Sequence, residues 1–147
     1  MLLLGTRNAA SQTLVTGSTL NLGEVYRKYC RKNSCGVKAF DFNSTSISLQ
    51  HSGIYHITST ITFTAPVAGV VIFQLTENGV ATPSALAQET ITTATTEVKT
   101  TTIDFYVLVD SACVLGNHTT LLKTVGIQNT GVASTVTNVV LNVEKVV

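Results

Sequence analysis

The segment YRKYCRKNSCG, Tyr26 to Gly36, concentrates residue types that could do chemistry. It contains four of the chain's nine basic residues and two of its three cysteines: Arg27, Lys28, Arg31, Lys32, Cys30 and Cys35. Clustered cations can attract an acidic partner, and cysteine thiolates can ligate zinc. A zinc site needs four ligands, so Cys113 and a histidine would have to join the two cysteines. The two cysteines stand five positions apart, a separation that a local disulfide can also span.

Three interpretations of this segment are open. In the first, Val25, Tyr26 and Tyr29 anchor a connection over the fold, and the cations lie in solvent. In the second, the cations form a contact surface for an acidic or glycan partner. In the third, the cysteines bind a metal ion. Charged side chains are seldom buried, which favours the first. We therefore predict no metal site and keep these candidate partner contacts: Arg27, Lys28, Arg31 and Lys32.

The residues that most often act in catalysis form no recognisable motif. A nucleophile needs a base within hydrogen-bond reach and a third group to orient that base. The histidines, His51, His56 and His118, stand in none of the known arrangements, and the few carboxylates are dispersed. No glycine-rich phosphate loop, His-Glu-x-x-His or Cys-x-x-Cys is present. We predict a protein that is not an enzyme, with no catalytic residue and no cofactor.

Length and charge limit the kinds of partner. A chain of 147 residues is one ordinary domain with enough residues to bury a core. The net charge is +1, and without the four clustered cations it would be −3, so no global field attracts nucleic acid. The apolar run in MLLLGTRNAASQ is shorter than a signal-peptide core, and no stretch suits a membrane helix. We expect a soluble chain made in a reducing cytosol, with no membrane insertion.

The elements that must position these residues are strands. The chain is rich in Thr and Val, which suit a pleated surface, and its apolar residues alternate with period two between Gly, Pro and Asn signals. We predict eight to ten antiparallel strands, near residues 12–16, 19–25, 37–42, 45–50, 53–64, 69–76, 86–93, 97–109, 120–128 and 135–146. Glu77-Asn78-Gly79 predicts a hairpin turn, and Ala65-Pro66 and Thr82-Pro83-Ser84 predict breaks. This pattern is typical of an all-β sandwich or jelly roll.

The direction of side chains along the strands is informative. In GIYHITSTITFT one face carries apolar residues, Tyr55, Ile57, Ile61 and Phe63, and the other is mostly polar. In TIDFYVLVD, Tyr106 and Leu108 lie on the face opposite to Ile103, Phe105, Val107 and Val109, so both faces are largely apolar. A sandwich strand should have one wet face. We expect the outer side of these strands to be covered by another subunit.

The segment Gly53-Ile54-Tyr55-His56-Ile57 resembles the tumour necrosis factor and complement globular-head superfamily of trimeric jelly rolls. Its hallmark is Gly-x-Tyr-x-aromatic, here Gly53, Tyr55 and Ile57. Ile47, Phe40 and Tyr29 stand where the pattern places further aromatic or aliphatic residues. Ile57 and Ile47 replace aromatics, and Cys35 replaces Asn or Asp. The resemblance covers roughly residues 35–147 of a single domain, 1–147, and leaves 1–25 open as an N-terminal arm or attachment strand.

The chain most resembles small members of this superfamily, rich in Gly, Ala and Thr, from gut bacteria and their phages. The sequence segments that they share are NAASQT, LGEVYRKYC, AGVVIFQLTENGVATP and TNVVLNVEK. The resemblance implies a homotrimeric jelly-roll head at the virion surface, made in a bacterial cytoplasm. Its expected role is that of a phage head-fibre, decoration or receptor-contact module, with other virion proteins or a host receptor as partners. The alternative is a soluble bacterial ligand-binding module of the same fold.

The resemblance also implies where the subunits meet. In the superfamily the residue after the hallmark Tyr points away from the core toward the threefold axis, and the strand alternation sends His56 outward too. The expected interface residues are His56, Thr58, Tyr106 and Leu108. Three imidazoles near an axis could bind an ion or respond to pH, but a neutral His56 hydrogen-bonded by Thr58 or water is the simpler expectation. Exposed loops containing Asn78 and His118 are candidate partner contacts.

Overall fold

A computed structural model describes residues 2–30, 39–114, 117–120 and 122–147, with the backbone alone for Cys30 and for residues 111–114 and 117–120. This part of the chain forms thirteen strands, more than the eight to ten that the sequence predicted. They are β1 (Leu2–Asn8), β2 (Gln12–Leu14), β3 (Glu24–Cys30), β4 (Phe40–Asn43), β5 (Ser46–Leu49), β6 (Gly53–Thr64), β7 (Gly69–Glu77), β8 (Val80–Ile91), β9 (Lys99–Val109), β10 (Ser111–Val114), β11 (Asn117–Thr120), β12 (Lys123–Asn129) and β13 (Ser134–Lys145). Within these ranges, no helix has the length and apolarity needed to cross a membrane.

The strands form a sandwich of two antiparallel sheets, as the alternation predicted. Sheet I has the order β3-β1-β13-β6-β9, and β2 pairs with the start of β13. Sheet II has the order β4-β5-β12-β7-β8, and β10 pairs with β11 beside the sandwich. The first and last strands, β1 and β13, are neighbours in sheet I over seven residue pairs. Because β3 and β9 stand at the two ends of the strand order of sheet I, they are its edge strands.

The core fills the space between the sheets with the side chains that alternation assigned to it. Tyr55, Ile57, Ile61 and Phe63 of β6 are buried, as are Val71, Phe73 and Leu75 of β7. Phe63 and Phe73 meet across the sandwich edge to face, with ring centroids 5.1 Å apart, a preferred aromatic geometry. Phe40 meets Tyr55 in the same way at 6.1 Å. The predicted inward face of β6 is confirmed.

Two interruptions were predicted in the part of the chain that forms β7 and β8. Asn78 and Gly79 have φ angles of 53° and 80° and connect the strands in a tight turn, as the Asn-Gly pair predicted. The predicted break at Thr82-Pro83-Ser84 lies inside β8 rather than between strands. There the pairing shifts register between Gln74 and Thr76, and Ser84 has a φ of 67°. The break is therefore an irregularity that one long strand absorbs.

The predicted N-terminal strands need correction. A strand was expected at 19–25, but only Thr19 forms an isolated bridge there, to Gln128. The strand begins instead at Glu24, as β3. Residues 2–8, within the range left open as an arm, form β1 and lie between β3 and β13 in sheet I. Their apolar side chains Leu2 and Leu4 are buried in the core.

Candidate functional site: the outer face of sheet I

Sheet I has an outer face, turned away from the core, and the register aligns its side chains in rows. One row crosses all five main strands: Tyr29 (β3), Leu3 (β1), Glu144 (β13), His56 (β6) and Tyr106 (β9). We call it the aromatic row, because both of its ends are tyrosines. Residues paired in this way lie on the same face of a sheet with their Cβ atoms about 5 Å apart. The row therefore forms a continuous strip of surface.

A second row runs beside the first, two residues along each strand. It consists of Arg27 (β3), Gly5 (β1), Asn142 (β13), Thr58 (β6) and Asp104 (β9). We call it the charged row, because its ends carry opposite charges, a guanidinium on β3 and a carboxylate on β9. The sequence-predicted interface residues His56 and Thr58 thus lie in adjacent rows. Their neighbours on β9 are Tyr106 and Asp104.

The β9 side of this face exposes large apolar side chains. Tyr106 is 59% exposed and Leu108 is 54% exposed. Ile54, which pairs with Leu108 across β6 and β9, is 38% exposed. The unpartnered chain therefore leaves a contiguous apolar band, formed by Ile54, Tyr106 and Leu108, in contact with water. A band of this kind on a soluble protein marks an interaction site more often than a free surface.

His56 is held by two contacts with β9. Its Nε2 lies 2.6 Å from Oδ1 of Asp104, and its ring stacks on Tyr106 with centroids 4.6 Å apart and an interplanar angle of 18°. Asp104 is therefore the partner of His56, where the sequence predicted Thr58 or water. Asp104 pairs with Thr58 in the register, so its contact with His56 joins the charged row to the aromatic row diagonally. The contacts fix the orientation of the imidazole.

Gly5 makes room for a tyrosine on the β3 side. A Cβ atom at Gly5 would lie 2.8 Å from Oδ1 of Asn142 and 2.9 Å from Cε1 of Tyr26. Without that atom, the Tyr26 ring lies over β1, and its hydroxyl donates a hydrogen bond of 3.1 Å to the Asn142 oxygen. The guanidinium carbons of Arg7 and Arg27 each lie 5.5 Å from the ring centroid, within cation–π range.

The segment that concentrated cations and cysteines is, in its described part, an edge strand. Residues 24–30 form β3 rather than the predicted connection, and Tyr29 at 53% exposure does not anchor it. Tyr26 is the residue that packs, while Arg27 and Lys28 are exposed. Arg31, Lys32 and Cys35 lie outside the described residues, as does the side chain of Cys30. Within the described part no three metal-ligating side chains come together.

The remaining candidate residues lie away from this face. Asn78 stabilises the β7–β8 turn, since its Oδ1 accepts a hydrogen bond of 2.9 Å from the Thr124 amide. His118 lies on β11 opposite Cys113, and both side chains lie outside the described residues. Of the hallmark residues, Gly53 has a φ of +142° and faces the Val147 carbonyl, so a side chain there would collide with backbone. Tyr55 and Ile57 are buried in the core.

A groove on the outer face of sheet II forms a small cavity away from sheet I. Its volume is 280 Å³. Side-chain hydroxyls and glycines line it, with no charged group: Thr19, Thr45, Ser46, Thr76, Gly79, Thr124, Gly126 and Gln128. Small-molecule sites are usually apolar with a few convergent polar groups. This groove has the opposite character.

Sequence reasoning missed several residues of the candidate site. Leu3 and Gly5 were not considered because β1 was not predicted, and Tyr26 was assigned to a connection. Asp104 was not paired with His56. The period-two alternation of β9 was a usable signal for Asp104, since it puts Asp104, Tyr106 and Leu108 on one face. The pairing of β9 with β6 was the missing information.

Comparison with known proteins bears on the fold. No protein-family model and no curated protein matches the sequence. Among solved structures, the globular domain of zebrafish complement 1qA protein matches over 100% of this chain and 98% of its own, with a TM-score of 0.62 and 8% identity. Murine APRIL matches over 97% and 98%, with a TM-score of 0.66 and 7% identity. A vertex protein of PRD1 matches over 97% and 93%, with a TM-score of 0.50 and 14% identity. The chain thus has the jelly-roll fold of the complement and tumour necrosis factor heads.

Proposed function

We propose that the chain is a non-enzymatic structural and binding protein of a phage virion. In this proposal it forms a homotrimeric jelly-roll head that acts as a head-fibre, decoration or receptor-contact module. The observation that carries the proposal is the exposed apolar band of Ile54, Tyr106 and Leu108 on the outer face of sheet I. A protein that works as a monomer in water would gain solubility from polar residues at these positions.

The trimer is supported by the position of that band in the fold. It lies on the sheet that contains the hallmark strand β6, and the superfamily that the sequence resembles consists of trimers that meet through this region. His56 and Thr58 lie in adjacent rows of the same face, next to Tyr106. Burying the band between copies would remove its apolar surface from water, at a gain of about 25 cal/mol per Å².

The binding role follows from the arrangement of a rigid trimer. Three identical sites held at fixed distances gain avidity from effective concentration, so each site can be weak. In this proposal the β7–β8 turn at Asn78 is a recognition surface, since recognition residues are commonly placed in loops. His118, the other predicted contact, has its side chain outside the described residues. The resemblance of the fold to a vertex protein of PRD1 supports a structural position on a virion.

A soluble bacterial ligand-binding module of the same fold is the second candidate. The hydroxyl-lined groove between β5, β12 and β7 is the observation that favours it. Its lining of neutral hydroxyls would suit a polar, uncharged ligand. It lacks the apolar walls and aromatic platform that give most small-ligand sites their affinity. We therefore favour the virion role.

Fractionation of particles distinguishes the two candidates. Phage particles from cultures that produce the chain naturally are banded by density, and each fraction is probed with an antibody raised against the purified chain. The virion role predicts that the chain travels with infectious particles and survives a high-salt wash. A chain found only at the top of the gradient, in the fractions of free protein, would contradict the virion role and favour the ligand-binding module.

A further inference from the structure

The two edges of sheet I end the same rows with complementary side chains. The charged row begins with Arg27 on edge strand β3 and ends with Asp104 on edge strand β9. The aromatic row begins with Tyr29 and ends with Tyr106, which are 53% and 59% exposed. Arg27 is also exposed, and the Asp104 side chain is 63% exposed. Each edge thus offers a charge and an aromatic ring, and the charges are opposite.

Symmetry decides how such edges can meet. A ring of identical copies needs two different patches on each copy that fit one another, whereas a twofold dimer places one patch against itself. A twofold contact centred on Arg27 and Lys28 of β3 would bring these residues near their own copies, and like charges in contact cost free energy. The two edges of sheet I differ and are complementary, so this chain satisfies the condition for a ring.

We infer that neighbouring copies in the trimer meet by joining the β3 edge of one to the β9 edge of the next, with Arg27 against Asp104 and Tyr29 against Tyr106. The inference rests on the proposed trimer and adds the chemistry of its contact. If the threefold axis of the trimer is parallel to the strands of sheet I, rotation about it does not change the position of any residue along the axis. The two ends of one row then meet, and both rows match at once.

The local contacts prepare both charged groups for this role. His56 holds Oδ1 of Asp104 at 2.6 Å and so orients the carboxylate. On the other edge, Arg27 lies 5.5 Å from the Tyr26 ring centroid. Tyr26 itself is fixed by its hydrogen bond to Asn142. A preoriented pair loses less side-chain freedom on association than two free side chains do. The supports lie on the outer face, beside the proposed contact.

Charge reversal with rescue tests the contact. Three variants are compared with the wild type by sedimentation equilibrium over a range of concentrations: Arg27→Glu, Asp104→Arg and the double variant. Each single reversal puts like charges together, and we expect it to raise the dissociation constant of the trimer by about tenfold or more. The double variant restores opposite charges in every contact. We expect its dissociation constant to return toward the wild-type value.

Lys28→Glu is the matched control. Lys28 is exposed on the same strand, but it pairs with Leu4, whose side chain is buried in the core, so it leaves β3 on the other side of the sheet. Lys28→Glu makes the same change of charge as Arg27→Glu, and we expect it to leave the dissociation constant of the trimer unchanged. Circular dichroism melting of each variant checks the fold, and Asp104→Ala, which loses the His56 contact without introducing a positive charge, separates that loss from the reversal of charge.

The outcomes separate this inference from the proposal on which it rests. A wild type that is monomeric at every concentration overturns the trimer and the contact together. A trimeric wild type whose dissociation constant is unchanged by both single reversals overturns the contact alone. The contact alone is also overturned if the dissociation constant of the double variant is raised by as much as the two single effects combined. In those cases the cations of β3 act only to protect an edge strand from open-ended pairing.

Discussion

Tyr55 ties the core to the loop that precedes β6. Its ring is fully buried, and its hydroxyl donates a hydrogen bond of 2.7 Å to the His51 carbonyl. Burial disfavours the phenolate and raises the pKa of Tyr55 from 10.0 to about 12. The folded state therefore holds this proton more tightly than the unfolded chain does. Stability from this effect is fully present below pH 10 and is lost as the pH rises to about 12.

The alkaline stability of a Tyr55→Phe variant tests this assignment. A shift of two pKa units corresponds to about 2.7 kcal/mol in the free energy of unfolding. Urea titrations of the wild type and the variant at pH 9 to pH 12 should show a decline that is smaller in the variant by about that amount. Tyr55→Phe also loses the bond to His51, so the comparison is of slopes against pH. Parallel declines in the two proteins would show that another group is responsible.

At the residue level, the sequence predicts the side of a strand on which a side chain lies better than it predicts the residue that this side chain contacts. The period-two alternation of β6 assigned Tyr55 and Phe63 to the core and His56 to the outer side, and burial agrees at each position. It could not give Asp104 as the partner of His56, because the two residues are 48 positions apart and their contact depends on the register of β6 with β9. Register is set by packing and turns far from either residue.

At the level of elements, one buried amide joins three segments of the chain. Asn129 ends β12, and its Nδ2 donates to the carbonyls of Leu14 at 3.2 Å and Val132 at 2.9 Å. Its Oδ1 accepts a hydrogen bond of 3.0 Å from the Gly131 amide. The side chain therefore fixes the turn from β12 to β13 and attaches the end of β2 to it.

Replacing Asn129 by Ala should destabilise the fold without changing its outer surface. The variant leaves buried backbone groups without partners, at a cost of about 1–3 kcal/mol for each unsatisfied group. Chemical denaturation should show a free energy of unfolding lower by about 2–4 kcal/mol. Gln88→Ala, at an exposed position of β8, is the control and should change stability by less than about 0.5 kcal/mol. Equal effects of the two substitutions would refute the role given to Asn129.

Long strands in which apolar and polar residues alternate were predictable. Strands that form only because they pair with neighbouring strands were not. β6 was predicted to its exact bounds because twelve residues alternate between a core and a wet face. β1 was missed because LLLGTRN has no alternation and becomes a strand only between β3 and β13. β3 was missed because it is charged. An edge strand needs no apolar face of its own, and charge there is common.

At the level of the whole molecule, the sandwich follows from many short alternating strands, but its order of strands does not. Nothing in the sequence shows that β1 and β13 are neighbours or that β3 and β9 are edges of one sheet. The rows of the outer face are a product of that order. The residues His56, Tyr106 and Leu108 of the candidate site were predicted from the sequence. The sequence could not give their arrangement.

Polar substitution in the apolar band should separate assembly from folding. Tyr106 and Leu108 are more than half exposed in the single chain. Changing both to Ser should therefore alter the stability of one subunit only slightly. It removes the apolar surface of Leu108 and a tyrosine, a residue type that often dominates binding energy at interfaces. We expect a folded monomer by light scattering, with an unchanged β-sheet circular dichroism spectrum.

Val80→Ser is the control for that experiment. Val80 is 71% exposed at the start of β8, an edge strand of sheet II, and the variant loses an exposed apolar side chain there. The oligomeric state of this variant should be that of the wild type. If the Tyr106 and Leu108 double variant keeps the wild-type mass, the apolar band does not lie in the subunit contact.

The central claim is that the exposed outer face of sheet I is covered by other copies of this chain. The most direct measurement is the mass of the purified wild-type protein by sedimentation equilibrium at neutral pH. The account predicts a stable species of three times the 15.6 kDa subunit mass. A well-folded species of 15.6 kDa across the concentration range would contradict it.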